Sequence, residues 1–127
     1  MGRRKSPTLT DAELRLMQVL WDRESATVSD VVDTLAGRES PAYSTVLTTL
    51  RILEQKGYLR HEKSGRAFVY FPIVGRHDAQ RSAIRHLMSR FFDNSPETLV
   101  LNLVESEELD ARDLDRIQKM IEEADSE

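Results

Sequence analysis

The chain has 127 residues, of which 39% are hydrophobic and 31% charged, with a net charge of −4 and no cysteine. These values fit one or two small globular domains and exclude disulfides, thiolate metal sites and a cysteine nucleophile. No apolar run approaches the roughly 20 residues of a membrane span, and MGRRKSPTLT lacks the apolar core of a signal peptide, so we expect a cytoplasmic protein without membrane insertion.

Two helices are predicted at the front of the chain, each with a capping box at its start. Thr10 and Glu13 form the first box, ahead of apolar residues at helical spacing. Thr27 and Asp30 form the second, at the start of ATVSDVVDTLAG. Gly37 is the predicted C-terminal stop of this shorter helix.

The third predicted helix is PAYSTVLTTLRILEQKGY, residues 41–58. Ser40 is its predicted N-cap, and Pro41 occupies the first helical position, where a missing N–H costs nothing. Gly57 can adopt the left-handed conformation that ends a helix.

A β-hairpin is predicted over residues 58–72, because YLRHEK and AFVYFP alternate in strand fashion around the turn signal KSGR. Its tip carries the basic residues Lys63 and Arg66. Helix, helix, helix and hairpin follow one another in the order of a winged helix-turn-helix, whose third helix enters the major groove of DNA.

The third helix carries a polar stripe without carboxylates: Ser44, Thr48, Arg51 and Gln55. A stripe facing only water usually carries Glu and Lys pairs four residues apart, whereas hydroxyls, amides and arginines read base edges and phosphates. Tyr43 is expected to pack in the core beside the seam rather than to stack on a base. The predicted DNA contacts are Ser44, Thr45, Thr48 and Arg51 in the groove and Arg60, Lys63 and Arg66 on the wing.

Charge is unevenly distributed along the chain. Residues 1–75 carry 11 Lys and Arg against 9 Asp and Glu, while residues 76–127 carry 7 against 13. A local basic excess can bind phosphates even when the whole chain is acidic. The arm Arg3–Lys5 either adds phosphate contacts or is a solubilising tail.

The tail contains three further predicted helices, over residues 77–92, after the cap Ser95 and after the cap Asp110. So short a tail cannot bury all its apolar residues alone, and a two-fold dimer is the economical solution. The predicted dimer interface comprises Ile84, Leu87, Met88, Phe91, Leu99, Leu101, Leu103, Val104, Ile117 and Ile121. Leu114, Ile117 and Ile121 are expected to face inward.

Four stretches resemble the penicillinase-repressor family of bacterial transcriptional regulators, the BlaI/MecI type. They are LTDAELRLMQVLW, YSTVLTTLRILEQKGYL, GRAFVYFPIV and SPETLVLNLVESEELD, in the family's order. The resemblance implies a mainly α fold with a small β-hairpin wing: a winged helix-turn-helix DNA-binding domain, residues 1–75, and a helical dimerisation domain, residues 76–127. It also implies a homodimeric repressor on a double-stranded palindromic operator.

Many members of the family are released from DNA when a membrane metalloprotease sensor triggers their cleavage after an asparagine in a run like LVLNFVE. The matching run is LVLNLVE, which carries the cleavage over to Asn102–Leu103, with leucine where the family has phenylalanine. Alternatively, Asn102 is only a polar position on a dimer helix. A family branch senses copper through tail cysteines, which this chain lacks.

Three other interpretations stay open. An enzyme is disfavoured, because His61, His77 and His86 have no ligand spacing, no glycine-rich phosphate loop is present, and ESEELDARDLD reads as a solvated helix start. We therefore predict no cofactor and no catalytic or metal site. A winged helix can also bind a protein, in which case Arg51→Glu would leave function intact. Finally, a small ligand could regulate DNA binding.

Overall fold

The computed structural model describes residues 8–37 and 39–126. The chain divides into two compact units, Met1–His86 (the front unit) and Leu87–Glu127 (the tail unit). The elements are α1 (Asp11–Arg23), β1 (Ala26–Thr27), α2 (Val28–Thr34), α3 (Tyr43–Gln55), β2 (Leu59–Ser64), β3 (Ala67–Pro72), α4 (Arg76–Phe91), α5 (Pro96–Glu105) and α6 (Ala111–Asp125).

The capping boxes of α1 and α2 are confirmed. The Thr10 hydroxyl accepts the backbone N–H of Glu13 at 3.1 Å, and the Glu13 carboxylate accepts that of Thr10 at 2.9 Å. Thr27 and Asp30 exchange the same two bonds, each 3.0 Å long. These local bonds satisfy N–H groups that have no partner inside the helix.

The predicted start of α3 is wrong by two residues. Ala42, not Ser40, is the N-cap, and it provides no side-chain hydrogen bond. Its backbone is extended (ψ 154°), so a helix cannot run through it from Pro41. The first intrahelical bond of α3 is donated by Val46 to the Ala42 carbonyl at 3.0 Å.

The predicted end of α3 is confirmed. Gly57 has a φ of 90°, which a residue with a Cβ rarely adopts. Its N–H bonds the Glu54 carbonyl at 3.1 Å, and the N–H of Tyr58 bonds the Leu53 carbonyl at 3.0 Å. This pair of bonds is a Schellman motif, and it turns the chain directly into β2.

The wing is a three-stranded antiparallel sheet in the order β1-β3-β2, not the isolated hairpin predicted. β2 pairs with β3 from Leu59 opposite Pro72 to Ser64 opposite Ala67, so the predicted hairpin and its basic tip are confirmed. The additional strand, β1, places Ala26 opposite Tyr70. It ties the start of α2 to the wing.

One apolar core holds the front unit together. It includes Met17 and Leu20 of α1, Val31 of α2, and Leu50 and Leu53 of α3, each 0% exposed. These residues occupy the inward positions of three short helices. Each helix can bury its apolar face only by packing against the other two. The core therefore sets the orientation of α3, and the opposite side of that helix faces solvent.

The chain after β3 is tied to the front unit. The indole N–H of Trp21 donates to the Val74 carbonyl at 2.9 Å, and Arg76 bonds Asp22 at 2.7 Å. Val74 is 8% exposed. The boundary between the two compact units falls inside α4 rather than at its start, and the functional boundary at residues 75/76 stays a prediction.

The tail unit confirms its predicted caps. Ser95 accepts the N–H of Thr98 and is followed by Pro96, and Asp110 forms a capping box with Asp113. The expectation that Leu114, Ile117 and Ile121 face inward is wrong for the single chain, because they are 37%, 42% and 57% exposed. Three short helices provide no further layer to cover them.

Candidate nucleic-acid interface

The outward side of α3 presents a cluster of hydroxyls. Ser44, Thr45, Thr48 and Thr49 line one shallow hollow. The Thr49 hydroxyl is used locally, since it donates to the Thr45 carbonyl at 2.8 Å. Ser44, Thr45 and Thr48 are exposed, as is Gln55 further along the helix. The structure thus brings three predicted groove contacts together on one surface.

Arg51, the fourth predicted groove contact, lies three residues after Thr48 on the polar side of α3, but it does not line the hydroxyl hollow. It lines a hollow of about 260 Å³ with Tyr43 of the same helix, Ser29 of α2, and Arg66 and Phe68 of the wing. We call this hollow the wing groove. It joins two residues that the sequence assigned separately, Arg51 to the helix and Arg66 to the wing.

The expectation that Tyr43 packs in the core is wrong. Tyr43 is 54% exposed and forms a wall of the wing groove. The relevant signal in the sequence is the spacing of Tyr43, Leu47 and Arg51, four residues apart, which places all three along one edge of a helix. Ser29 and Phe68 are not recognisable as site residues from the sequence, because they approach α3 only in the folded chain.

The two faces of the hairpin separate the three basic residues predicted on the wing. Side chains alternate along a strand, so Lys63 shares the face of His61, while Arg60 lies on the opposite face. His61 contacts Glu54 of α3, which identifies its face as the one toward that helix. Arg60 is paired with Glu62 and lies over the Phe71 ring, 4.3 Å from its centroid. The structure therefore brings Lys63 and Arg66, but not Arg60, to the side of α3.

A polar contact fixes β2 against the end of α3. The Nδ1 atom of His61 is 2.7 Å from each oxygen of the Glu54 carboxylate. The imidazole also contacts the ring of Phe68 edge-on, with centroids 5.1 Å apart. Burial, followed by the nearby Glu54 carboxylate, raises the pKa of Tyr70 behind it. Glu54 is thus engaged by the wing and does not join the hydroxyl stripe.

The remaining predicted sites lie elsewhere. The arm Arg3–Lys5 falls outside the described residues. Asn102 is exposed on α5, where its amide donates to the Thr98 carbonyl at 2.8 Å, and Leu103 is half-buried. Within residues 8–37 and 39–126, no group of three His, Asp or Glu side chains is arranged to hold a metal ion. No helix in these ranges is long and apolar enough to cross a membrane.

The predicted dimer-interface residues differ widely in their exposed fractions. Met88 is 8% exposed in the single chain, so it has little surface left for a partner. Phe91 and Leu101 are 69% and 58% exposed. Also exposed are Ile84, Leu87, Val104, Ile117 and Ile121, whereas Leu99 and Leu103 are half-buried.

Comparison with known proteins agrees with this architecture. The sequence model of the penicillinase repressor family matches residues 9–123. The penicillinase repressor of Bacillus licheniformis is 31% identical over 120 residues, covering 94% of each chain. The methicillin resistance regulatory protein MecI of Staphylococcus aureus strain N315 is 20% identical over 117 residues, 92% of this chain and 95% of its own.

A solved structure matches more than half of the chain. The DNA-binding domain of the repressor BlaI, determined in solution, superimposes with a TM-score of 0.53 at 37% identity. The match covers 59% of this chain and 92% of that domain. Together with a family match over nearly the whole length, it shows that this chain belongs to the penicillinase repressor family.

Proposed function

We propose that this DNA-binding transcriptional repressor acts as a homodimer on a palindromic operator, reading bases with α3 and holding phosphates with the wing. The observation that carries the proposal is the exposed hydroxyl stripe of α3, flanked on the wing side by Arg51 and Arg66. The front unit presents this surface, and 59% of the chain superimposes on the DNA-binding domain of BlaI.

Base reading is the role of Ser44, Thr45 and Thr48. Their hydroxyls are short donors and acceptors on an exposed helix side, the geometry that lets a helix approach base edges in a major groove. Arg51, Lys63 and Arg66 supply positive charge on the same side of the molecule and hold phosphates, which position the protein without reading sequence. Arg60 would join them only by leaving Glu62.

Dimerisation is the role of the tail. Several large apolar side chains of the tail unit, among them Phe91, Leu101 and Met120, are more than half exposed in the single chain. Burying such a surface against a second copy removes apolar area from water, at about 25 cal/mol per Å². A two-fold pair would present two α3 helices to two half-sites about one helical turn apart, roughly 34 Å.

Inactivation by proteolysis at Asn102–Leu103 is the third part of the proposal, with a membrane metalloprotease sensor as the triggering partner. The bond lies inside α5, between exposed apolar residues. The Leu103 carbonyl accepts the N–H groups of Glu108 and Leu109, at 3.0 and 3.2 Å. A protease needs an extended strand, so α5 must unwind locally before cleavage.

The experiment measures binding to a labelled duplex from the region upstream of the protein's own gene, against a scrambled duplex, by fluorescence anisotropy at two salt concentrations. We expect tight binding to the native duplex that weakens as salt rises, because phosphate contacts release counterions. Weak binding to both duplexes leads to selection from a random library. If no duplex is then preferred, the winged helix serves a protein partner and the proposal is overturned.

A further inference from the structure

The wing groove is formed without Ser44, Thr45 and Thr48, the residues to which base reading is assigned. Its walls come from three elements: Ser29 of α2, Tyr43 and Arg51 of α3, and Arg66 and Phe68 of the wing. It shares no residue with the hollow that Ser44, Thr45, Thr48 and Thr49 line on α3. Its volume of about 260 Å³ accommodates a phosphodiester and part of its sugar.

The charge of the groove favours an anion. Two guanidinium groups line it, and no carboxylate is found among the described residues that form its walls. Two other arginines of the front unit are paired with carboxylates: Arg23 lies 3.7 Å from Asp30, and Arg76 lies 2.7 Å from Asp22. In the described part of the chain, Arg51 and Arg66 have no such carboxylate partner. Guanidinium forks and phosphate oxygens are matched in charge and geometry.

The remaining walls fit the rest of a nucleotide backbone. The exposed hydroxyls of Tyr43 and Ser29 can donate to phosphate oxygens, while the rings of Tyr43 and Phe68 offer apolar surface to a deoxyribose. Phe68 is 43% exposed, although it is a large apolar residue on a strand. A surface that is cationic, hydroxyl-bearing and partly apolar fits a sugar–phosphate better than a free inorganic ion.

The position of the wing groove, between α3 and the wing, indicates which part of the DNA backbone would reach it. With α3 in the major groove and the wing over the neighbouring minor groove, the strand that separates the two grooves must pass between helix and wing. The wing groove lies at that place. We infer that it receives a single backbone phosphate of the operator, held by Arg51, Arg66 and the Tyr43 hydroxyl. The inference rests on the proposed function, and it adds Tyr43 as a residue that positions the protein on DNA.

The test combines protein variants with neutralised phosphates. The probe is the duplex returned by library selection, prepared as a series in which one phosphate at a time is replaced by an uncharged methylphosphonate. The wild type should lose affinity at several positions. On the unmodified duplex, Tyr43→Phe should bind roughly threefold to tenfold more weakly than the wild type. On the duplex that is neutralised at the phosphate in the wing groove, Tyr43→Phe and Arg66→Ala should bind as tightly as the wild type binds that same duplex. Both residues are exposed, so both variants should fold.

Lys63→Ala is the matched control. It removes a cation from the same hairpin, but Lys63 is not part of the wing groove. The loss of affinity caused by Lys63→Ala should add fully to the loss caused by the methylphosphonate at the phosphate that Tyr43 contacts. If the wild type binds the operator normally but the losses from Tyr43→Phe and from the methylphosphonate add at every phosphate position, the groove assignment is overturned. The repressor function would be unaffected by that result. Absence of any preferred duplex would overturn both.

Discussion

Glu13 shows how one side chain can hold two helices. Its carboxylate closes the cap of α1 and also accepts the Lys56 ammonium, at the end of α3, at 2.7 Å. Burial alone would raise the pKa of Glu13, but the hydrogen bonds from Lys56 and Thr10 outweigh it, so the pKa lies below its ordinary value of 4.5. The ionised carboxylate therefore helps to hold the end of α3 against α1.

Replacing Glu13 by Gln should lower the free energy of unfolding by about 1.5 to 3 kcal/mol, the range for a hydrogen bond to a charged group. The amide keeps the shape but leaves Lys56 without a counter-charge. Urea denaturation measures the loss. Glu62→Gln is the control, because Glu62 and its partner Arg60 are exposed, and a surface pair contributes about 0 to 1 kcal/mol. Equal losses in both variants would contradict the argument.

The stabilisation by Glu13 should also depend on pH. Since its pKa is lowered by folding, the carboxylate contributes fully above the unfolded-state pKa of 4.5, and the contribution is lost as pH falls through the lower folded-state pKa. The difference in unfolding free energy between wild type and Glu13→Gln should therefore shrink between pH 6 and pH 3. A difference that stays constant over this range would show that Glu13 acts through packing alone.

At the scale of the elements, we expect α3 and the wing to have different roles, which Thr48→Ala and Lys63→Ala should separate. Loss of the exposed Thr48 hydroxyl should relax the base preference at one operator position. Loss of the Lys63 charge should weaken binding to all duplexes alike and reduce the slope of log K against log salt by about 1. Binding of each variant to a library of operator variants, at several salt concentrations, provides both quantities.

Neither substitution should alter the fold, because both side chains are exposed. Thermal melts of the two variants serve as the control. A loss of base preference in Lys63→Ala equal to that in Thr48→Ala would contradict the division of roles between helix and wing.

The elements differ in how far the sequence predicts them. Capping boxes and the Gly57 terminus depend on residues within five positions of one another, so local pattern was sufficient. β1 has two residues and exists only because Ala26 meets Tyr70 across the fold. The wing groove likewise depends on long-range approach, which is why Tyr43 was assigned to the core. No sequence signal excluded Ser40 as a cap, since the extended conformation of Ala42 decides where α3 begins.

At the scale of the whole molecule, a charge on the apolar surface of the tail should prevent association. Leu101 is 58% exposed in the single chain and lies on α5. Leu101→Asp should raise the dimer dissociation constant on the order of 100-fold or more, because a buried unpaired carboxylate costs several kcal/mol. Sedimentation equilibrium measures the change. Gln118→Asp, at an exposed polar position of α6, is the charge-matched control.

Ending the chain after Asn102 should reproduce the effect of the proposed proteolysis. The truncation removes Leu103, whose carbonyl accepts two backbone hydrogen bonds from the loop that follows α5. It also removes all of α6 with its exposed apolar residues. The front unit has its own core and should still bind one half-site with nearly unchanged affinity. On the full palindrome, affinity should fall by about 10²- to 10⁴-fold, because the second half-site is no longer bound by a tethered partner. Anisotropy titrations on both duplexes test this, and a truncated chain that binds the palindrome as tightly as the intact one would show that repression does not depend on the tail.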